Sequence, residues 1–343
     1  MLKKFLFSLL VLCAFSPLVA QNLSGTLPLL QKNTRTAAEN RKVLQIFRSA
    51  KDPDTIFAAG ASLVKIPPTK EQEPAVMSLV LRQNEPLKST FAAIIITAMG
   101  SHYEELLPLL ENALGSKDDV LRAYTAGAYS ILNPADKTYA DEVVRLYIFD
   151  DKFSQRALHL LDETPEGQLK LLKKASVSTD AQIRAAAAMW LGNAHTDKAN
   201  QILLKMAKTE KDASVQTQLA TSLAKNQSEV LAETAKGLKK NYQNSVSTTY
   251  ALALGFMTGY SVSTLRQTLV SKNENERINT LRALAYMANV LSNPDAFAYS
   301  SDRTFDISLL KSFIPQLTLL SKTGNETERT YAQNALLQLE KLM

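Results

Sequence analysis

"TDAQIRAAAAMWLGNA", residues 179–194, is the stretch whose reading decides the fold. It holds no proline, its one glycine is Gly192, and Ala185 to Ala188 run together, so its intrinsic preference is helical. Asp180 stands where an N-cap belongs. On a 3.6-residue period Ile183, Ala187 and Trp190 share a face that can pack on a partner helix. Ala181, Ala185, Ala188 and Gly192 form a second stripe with almost no bulk, which lets another helix approach closely. The spacing makes Trp190 a packing residue before it makes it an aromatic anchor for a ligand.

Ile183 precedes Ala188 by five, and the same apolar-then-small pair recurs along the chain. Ile56/Ala61, Leu87/Ala92, Leu121/Ala126, Val215/Ala220, Val246/Ala251 and Ile278/Ala283 repeat it, and Phe153/Leu158 is a poorer copy. The gaps between leading positions are 30 to 34 residues. Further helical segments lie between them, carrying Leu106, Leu107, Leu109 and Leu110, then Leu169, Leu171 and Leu172, then Ile202, Leu203, Leu204 and Met206. Short polar links follow these segments, Ser116-Lys-Asp-Asp, Ser178-Thr-Asp and Thr209-Glu-Lys-Asp. They offer Asp118, Asp180 and Asp212 as N-caps. No segment alternates with period two. The expectation is all-α: an α-solenoid of antiparallel helix pairs over residues 37–343, one pair per about 31 residues, forming one continuous domain with no internal linker.

Asp180, Ile183, Arg184 and Ala188, with Asp118, Leu121, Arg122 and Ala126, spell Asp-x-x-[Ile/Leu]-Arg-x-x-x-Ala. This pattern resembles the HEAT repeat, especially the short HEAT-like repeat of phycobilin lyases. Asp212 and Val215 keep the frame but carry Gln216 in place of arginine. Asn275, Ile278 and Asn279 depart further. The last segment, Glu326 to Met343, puts Ala332 and Ala335 at small positions. The resemblance covers most of residues 50–343, strongly in about three units. The rival tetratricopeptide signature, with its period of 34, is missing. The resemblance implies a right-handed superhelix in which Asp118, Arg122, Asp180 and Arg184 cap helices and bridge neighbouring units. It does not imply bilin chemistry, because what is shared is a packing pattern.

The first residues read as an export signal: Met1-Leu-Lys-Lys, an apolar run from Phe5 to Phe15, and Pro17-Leu-Val-Ala20 ahead of polar Gln21-Asn22. The run is short for a membrane span, and Leu12 before Cys13 is wrong for a lipoprotein box. Residues 1–20 are therefore expected to be removed, leaving residues 21–36 as a leader, flexible or a first capping helix. Cys13 is the only cysteine, so cleavage would leave no disulfide, thiolate metal site or thiol nucleophile. Cleavage would also take Lys3 and Lys4, leaving a mild positive balance from a formal +6. No polybasic run points to nucleic acid. Asn22, Asn226 and Asn325 are glycosylation acceptors only in a host that glycosylates.

The sequence carries few groups that point to chemistry. His102, His159 and His195 are the three histidines, with no i, i+4 pair and no HExxH. No His-Glu dipeptide occurs, on which the HEAT-like di-iron hydroxylases depend. No GxSxG, P-loop or GxGxxG is present. No catalytic residue, metal ligand or cofactor is assigned. From Ile278 to the next matching position, Thr330, the period breaks, and the extra length lies near residues 291–305. Phe297, Tyr299, Arg303 and Phe305 there are the candidate binding residues, with a loop folded over the core as the competing account. The expected function is a non-catalytic protein–protein interaction scaffold, periplasmic or secreted, gripping its partner along a groove lined by the second helices. The alternatives are an enzyme or small-molecule carrier of the HEAT-like lyase type, or a cell-wall-binding protein.

Overall fold

The computed structural model describes residues 25–82, 84–292 and 306–342. Among the described residues there are nineteen α-helices, a few short 3-10 segments and no strand. The chain falls into two compact units that divide after Lys174.

The N-terminal unit runs through α1 (Leu27–Leu30), α2 (Ala37–Ser49), α3 (Pro53–Lys65), α4 (Glu73–Val80) and α5 (Pro86–Ala98). It continues with α6 (Leu107–Ala113), α7 (Asp119–Leu132), α8 (Ala140–Leu146) and α9 (Asp151–Leu161), and α10 (Pro165–Ala175) reaches the division. From α2 onward the helices pack as pairs, α2 with α3, α4 with α5, α6 with α7, and α8 with α9. The second member of each pair also packs on the second member of the next. Local chemistry sets the starts. Asp52, Asp118 and Asp150 accept the N–H groups of Thr55, Leu121 and Phe153, and Thr36 with Glu39 forms a capping box on α2. The row of second helices curls back on itself, because α9 also touches α3 and Arg156 of α9 donates to the Ala98 carbonyl at the end of α5, 3.3 Å away. Phe57, Phe91, Tyr124 and Phe153, one from each second helix, form a chain of ring contacts with centroids 5.2, 6.4 and 6.5 Å apart.

The sequence admits either a flexible leader or a capping helix over residues 21–36. The described part of this segment, from Gly25, holds α1, which packs on α2 and α3. Its Leu30 is buried, the Leu30 carbonyl accepts the Ser62 hydroxyl at 2.7 Å, and Arg35 bonds the Ser62 and Ile66 carbonyls. The first described residues therefore cover α3.

The C-terminal unit holds α11 (Ala181–Ala194), α12 (Asp197–Ala207), α13 (Ala213–Lys225), α14 (Gln227–Gly237), α15 (Ser245–Phe256), α16 (Val262–Leu269), α17 (Glu274–Ser292), α18 (Ile314–Thr323) and α19 (Glu326–Glu340). Here α11, α13, α15, α17 and α19 pack each on the next, with α12, α14, α16 and α18 between them in sequence. The small positions of the repeat explain the close approach. Ala188, Ala220, Ala251, Ala283 and Ala335 are fully buried. A Cβ on Gly192 would come within 2.6 Å of the Ser222 Cβ and 2.9 Å of its Cα, and one on Gly255 within 2.9 Å of the Ala283 carbonyl oxygen. Nothing larger than glycine fits these two crossings without moving a helix.

The opening stretch forms α11, with burial distributed otherwise than its two stripes suggest. Ile183, Ala186, Ala187, Ala188, Leu191 and Gly192 are buried, while Ala181, Ala185 and Trp190 are half-buried. The reason is that α11 packs on both α12 and α13, which enclose a wide arc rather than two narrow faces. Three of the four consecutive alanines lie inside that arc.

Candidate binding pocket

Asp118, Arg122, Asp180 and Arg184 act over short distances. Asp118 and Asp180 cap α7 and α11. Arg122 donates from Nε to Glu142 at 2.8 Å and from Nη1 to the Ser116 carbonyl at 2.9 Å. Arg184 donates from Nε and Nη2 to both Glu210 oxygens, at 2.8 and 3.0 Å, and from Nη1 to the Ser178 carbonyl at 2.9 Å. Each glutamate belongs to the next helix pair or the link before it. Burial pushes the Glu210 carboxyl up, but hydrogen bonds from Arg184 and from the Asp212 and Lys211 N–H groups outweigh it and hold the group below the usual glutamate range.

The structure adds a third copy that the apolar register missed. Arg277 donates from Nε to Glu328 at 2.6 Å and from Nη1 to the Ser271 carbonyl at 2.7 Å. The hydroxyls of Ser116, Ser178 and Ser271 each accept the N–H two residues on, from Asp118, Asp180 and Asn273. The shared unit is Ser-x-[Asp/Asn]-x-x-x-Arg. Its starts, 116, 178 and 271, are separated by two and three times 31 residues. Aligning on Ile278 put the arginine position at Asn279; aligning on the cap puts it at Arg277. Gln216 keeps one element, donating to the Glu210 carbonyl six residues back at 2.9 Å.

Phe297, Tyr299, Arg303 and Phe305 lie outside the described residues, as do residues 1–20. Of the expected insertion, Leu291 and Ser292 belong to the last turn of α17. The three histidines lie apart, on the links before α6 and α12 and within α9. Among the described residues no group of three His, Cys, Asp or Glu could hold a metal ion, and no helix is long and apolar enough to cross a membrane.

A concavity forms within the N-terminal unit. It has a volume of about 340 Å³ and is walled by α1, α3, the start of α5, the start of α7 and Phe149. Leu27, Phe57, Leu87, Val120, Leu121 and Phe149 supply half-buried apolar surface. Ala61, the first small position of the repeat, is only half-buried because it faces this hollow; its counterparts Ala92 and Ala126 are fully buried. Tyr124 also lines the hollow. Burial drives its phenol pKa well above the ordinary tyrosine value, helped by the Asp150 charge, and among the described residues its hydroxyl has no hydrogen-bond partner. Burial likewise raises the Asp150 carboxyl, against the Phe153 N–H it caps and the nearby Lys65 charge. Two carboxylates, Asp118 and Asp54, belong to the wall. Asp118 accepts the Leu121 N–H, and Asp54 makes no ion pair or side-chain hydrogen bond among the described residues. No sequence pattern announced this site, because residues 27 and 149 meet only through tertiary packing.

No protein-family model matches the chain, and no curated protein matches it.

Proposed function

We propose that the protein is an exported, non-catalytic interaction scaffold of the HEAT-like repeat type, and that its partner seats on the row of second helices where they enclose the 340 Å³ hollow. The observation that carries this reading is the hollow itself. It is built by second helices of three successive pairs, its apolar walls are incompletely covered, and its polar groups do not converge as a nucleophile and base would. The HEAT-like assignment, with its right-handed superhelix of pairs, is supported by the Ser-x-[Asp/Asn]-x-x-x-Arg unit recurring at multiples of 31 residues. Export rests on the organisation of residues 1–20, and a periplasmic or secreted location follows from it.

A second reading, a small-molecule carrier, is favoured by the volume, which lies at the lower end of the range for ligand pockets. Photo-crosslinking separates the two. A crosslinker at Val120, in the hollow, joins the protein to a discrete protein partner in the native envelope, while one at Val270 on the C-terminal unit does not. Adducts of equal yield from both positions, or none from Val120, would refute the scaffold reading.

A further inference from the structure

The geometry points to a peptide segment as the occupant of the hollow: an apolar side chain flanked by a lysine or arginine, with a backbone carbonyl free to reach Tyr124. This inference rests on the scaffold reading and adds the chemistry of what is held.

Three observations specify that chemistry. The first is shape. Phe57, Leu87, Val120, Leu121 and Phe149 leave apolar surface half-covered around the small Ala61, so an apolar group gains by replacing water there. The second is charge. Asp54, in the first turn of α3, and Asp118, capping α7, both belong to the wall, and neither has a cationic partner among the described residues. The positive N-terminal ends of α3 and α7 amount to roughly +0.5 each, so two carboxylates leave the local balance negative. Lys65, the one cation among the described residues of the wall, lies at the other end of α3, about 16 Å away along its axis. It bonds Asn33 at 3.1 Å and faces the buried Asp150 carboxyl, so it does not neutralise the acidic end. The third is the Tyr124 side chain, which lines the hollow and whose hydroxyl has no hydrogen-bond partner among the described residues. An occupant that displaces water from the hollow leaves this donor unsatisfied unless it supplies a carbonyl. A peptide carries all three features within two or three residues; an aliphatic amine lacks the acceptor, and a fatty acid has the wrong charge.

The test uses the full mature chain and three probes, the blocked peptides Ala-Lys-Phe-Lys-Ala and Ala-Glu-Phe-Glu-Ala and the amine dodecylamine. Methyl resonances of Leu27, Leu87, Val120 and Leu121 report occupancy. The basic peptide is expected to shift them together and the acidic peptide to leave them in place. Asp54→Lys, at an exposed position that leaves the core intact, is expected to weaken the basic peptide about tenfold at low salt, an effect that shrinks as salt screens it. Ala61→Phe, which fills the hollow, abolishes the shifts, and its circular dichroism shows whether it is folded. Equal binding of both peptides, an unchanged Kd in Asp54→Lys, or shifts from dodecylamine but from neither peptide would each overturn the inference. The scaffold reading fails separately. If the Val120 crosslinker captures a partner through a segment without a basic residue, the scaffold stands and this inference falls.

Discussion

Gly192→Ala is the sharpest probe of how the repeat is held together. In an exposed helix interior this change stabilises, by about 0.5–1 kcal/mol, because alanine loses less backbone freedom than glycine. On α11 the new Cβ would stand 2.6 Å from the Ser222 Cβ, 2.7 Å from its Oγ and 2.9 Å from its Cα. Carbon contacts relax at about 3.5–4.0 Å, so α11 and α13 must separate by most of an ångström. The serine hydroxyl can rotate away, but the Cα is main chain. Overpacking of this kind costs about 1–3 kcal/mol, which exceeds the helix-propensity gain. The expected net is a loss of about 1 kcal/mol, or a Tm fall of about 2–4 °C for a unit of this size. Trp190, the single tryptophan, lies on the same helix two residues away, so urea titration followed by its fluorescence reads the unit concerned. Ser222→Gly removes two of the three clashing atoms, and the double variant should recover part of the loss as a coupling energy of about 1 kcal/mol. A Gly192→Ala protein as stable as wild type, or more so, would refute the close crossing of these helices.

The remaining expectations are independent of that crossing. His195 ends α11 with φ of 47°, a left-handed conformation that favours glycine, so His195→Gly should raise the urea midpoint by the equivalent of about 1 kcal/mol while His195→Ala gains nothing. Arg184→Lys loses the two-pronged bond to Glu210 and should cost about 1–2 kcal/mol at neutral pH. Because Glu210 is held below its ordinary range, that contribution is complete above the range and is lost as pH drops through the lowered value, so the two proteins' midpoints should converge in acid. Asp150 has the opposite sign. Its carboxyl is raised by burial, so ionisation near neutral pH opposes folding, and Asp150→Asn, which keeps the cap on α9, should be the more stable protein at pH 7 with an advantage that shrinks toward acid. N-terminal sequencing of protein from the envelope should give a chain beginning near Gln21; an intact Met1 in the cytosol would refute export.

What the sequence determined by itself is everything that depends on residues within about one helix pair. The all-helical class, the pairing period, the Asp caps on α7, α11 and α13, and the need for alanine at 188, 220, 251 and 283 follow from hydrogen-bond and side-chain periodicities acting over a few residues. The serine–Asx–arginine unit was equally local and could have been found, since its spacing is fixed at six residues. It was obscured because the apolar residue stands at Ile278, two positions beyond where the cap at Asn273 places it, so a register set on Ile278 reads Asn279 in place of Arg277. Tertiary structure decided the rest. Which glutamate answers each arginine, which of Ala185 to Ala188 is enclosed, and where Ala61 is left uncovered depend on how neighbouring helices cross. The hollow brings Leu27, Asp54, Asp118 and Phe149 to one wall only because the N-terminal unit curls until α9 meets α3. That curl is a sum of small rotations between helix pairs, set by the volumes of many buried side chains at once, and no single stretch of sequence carries it.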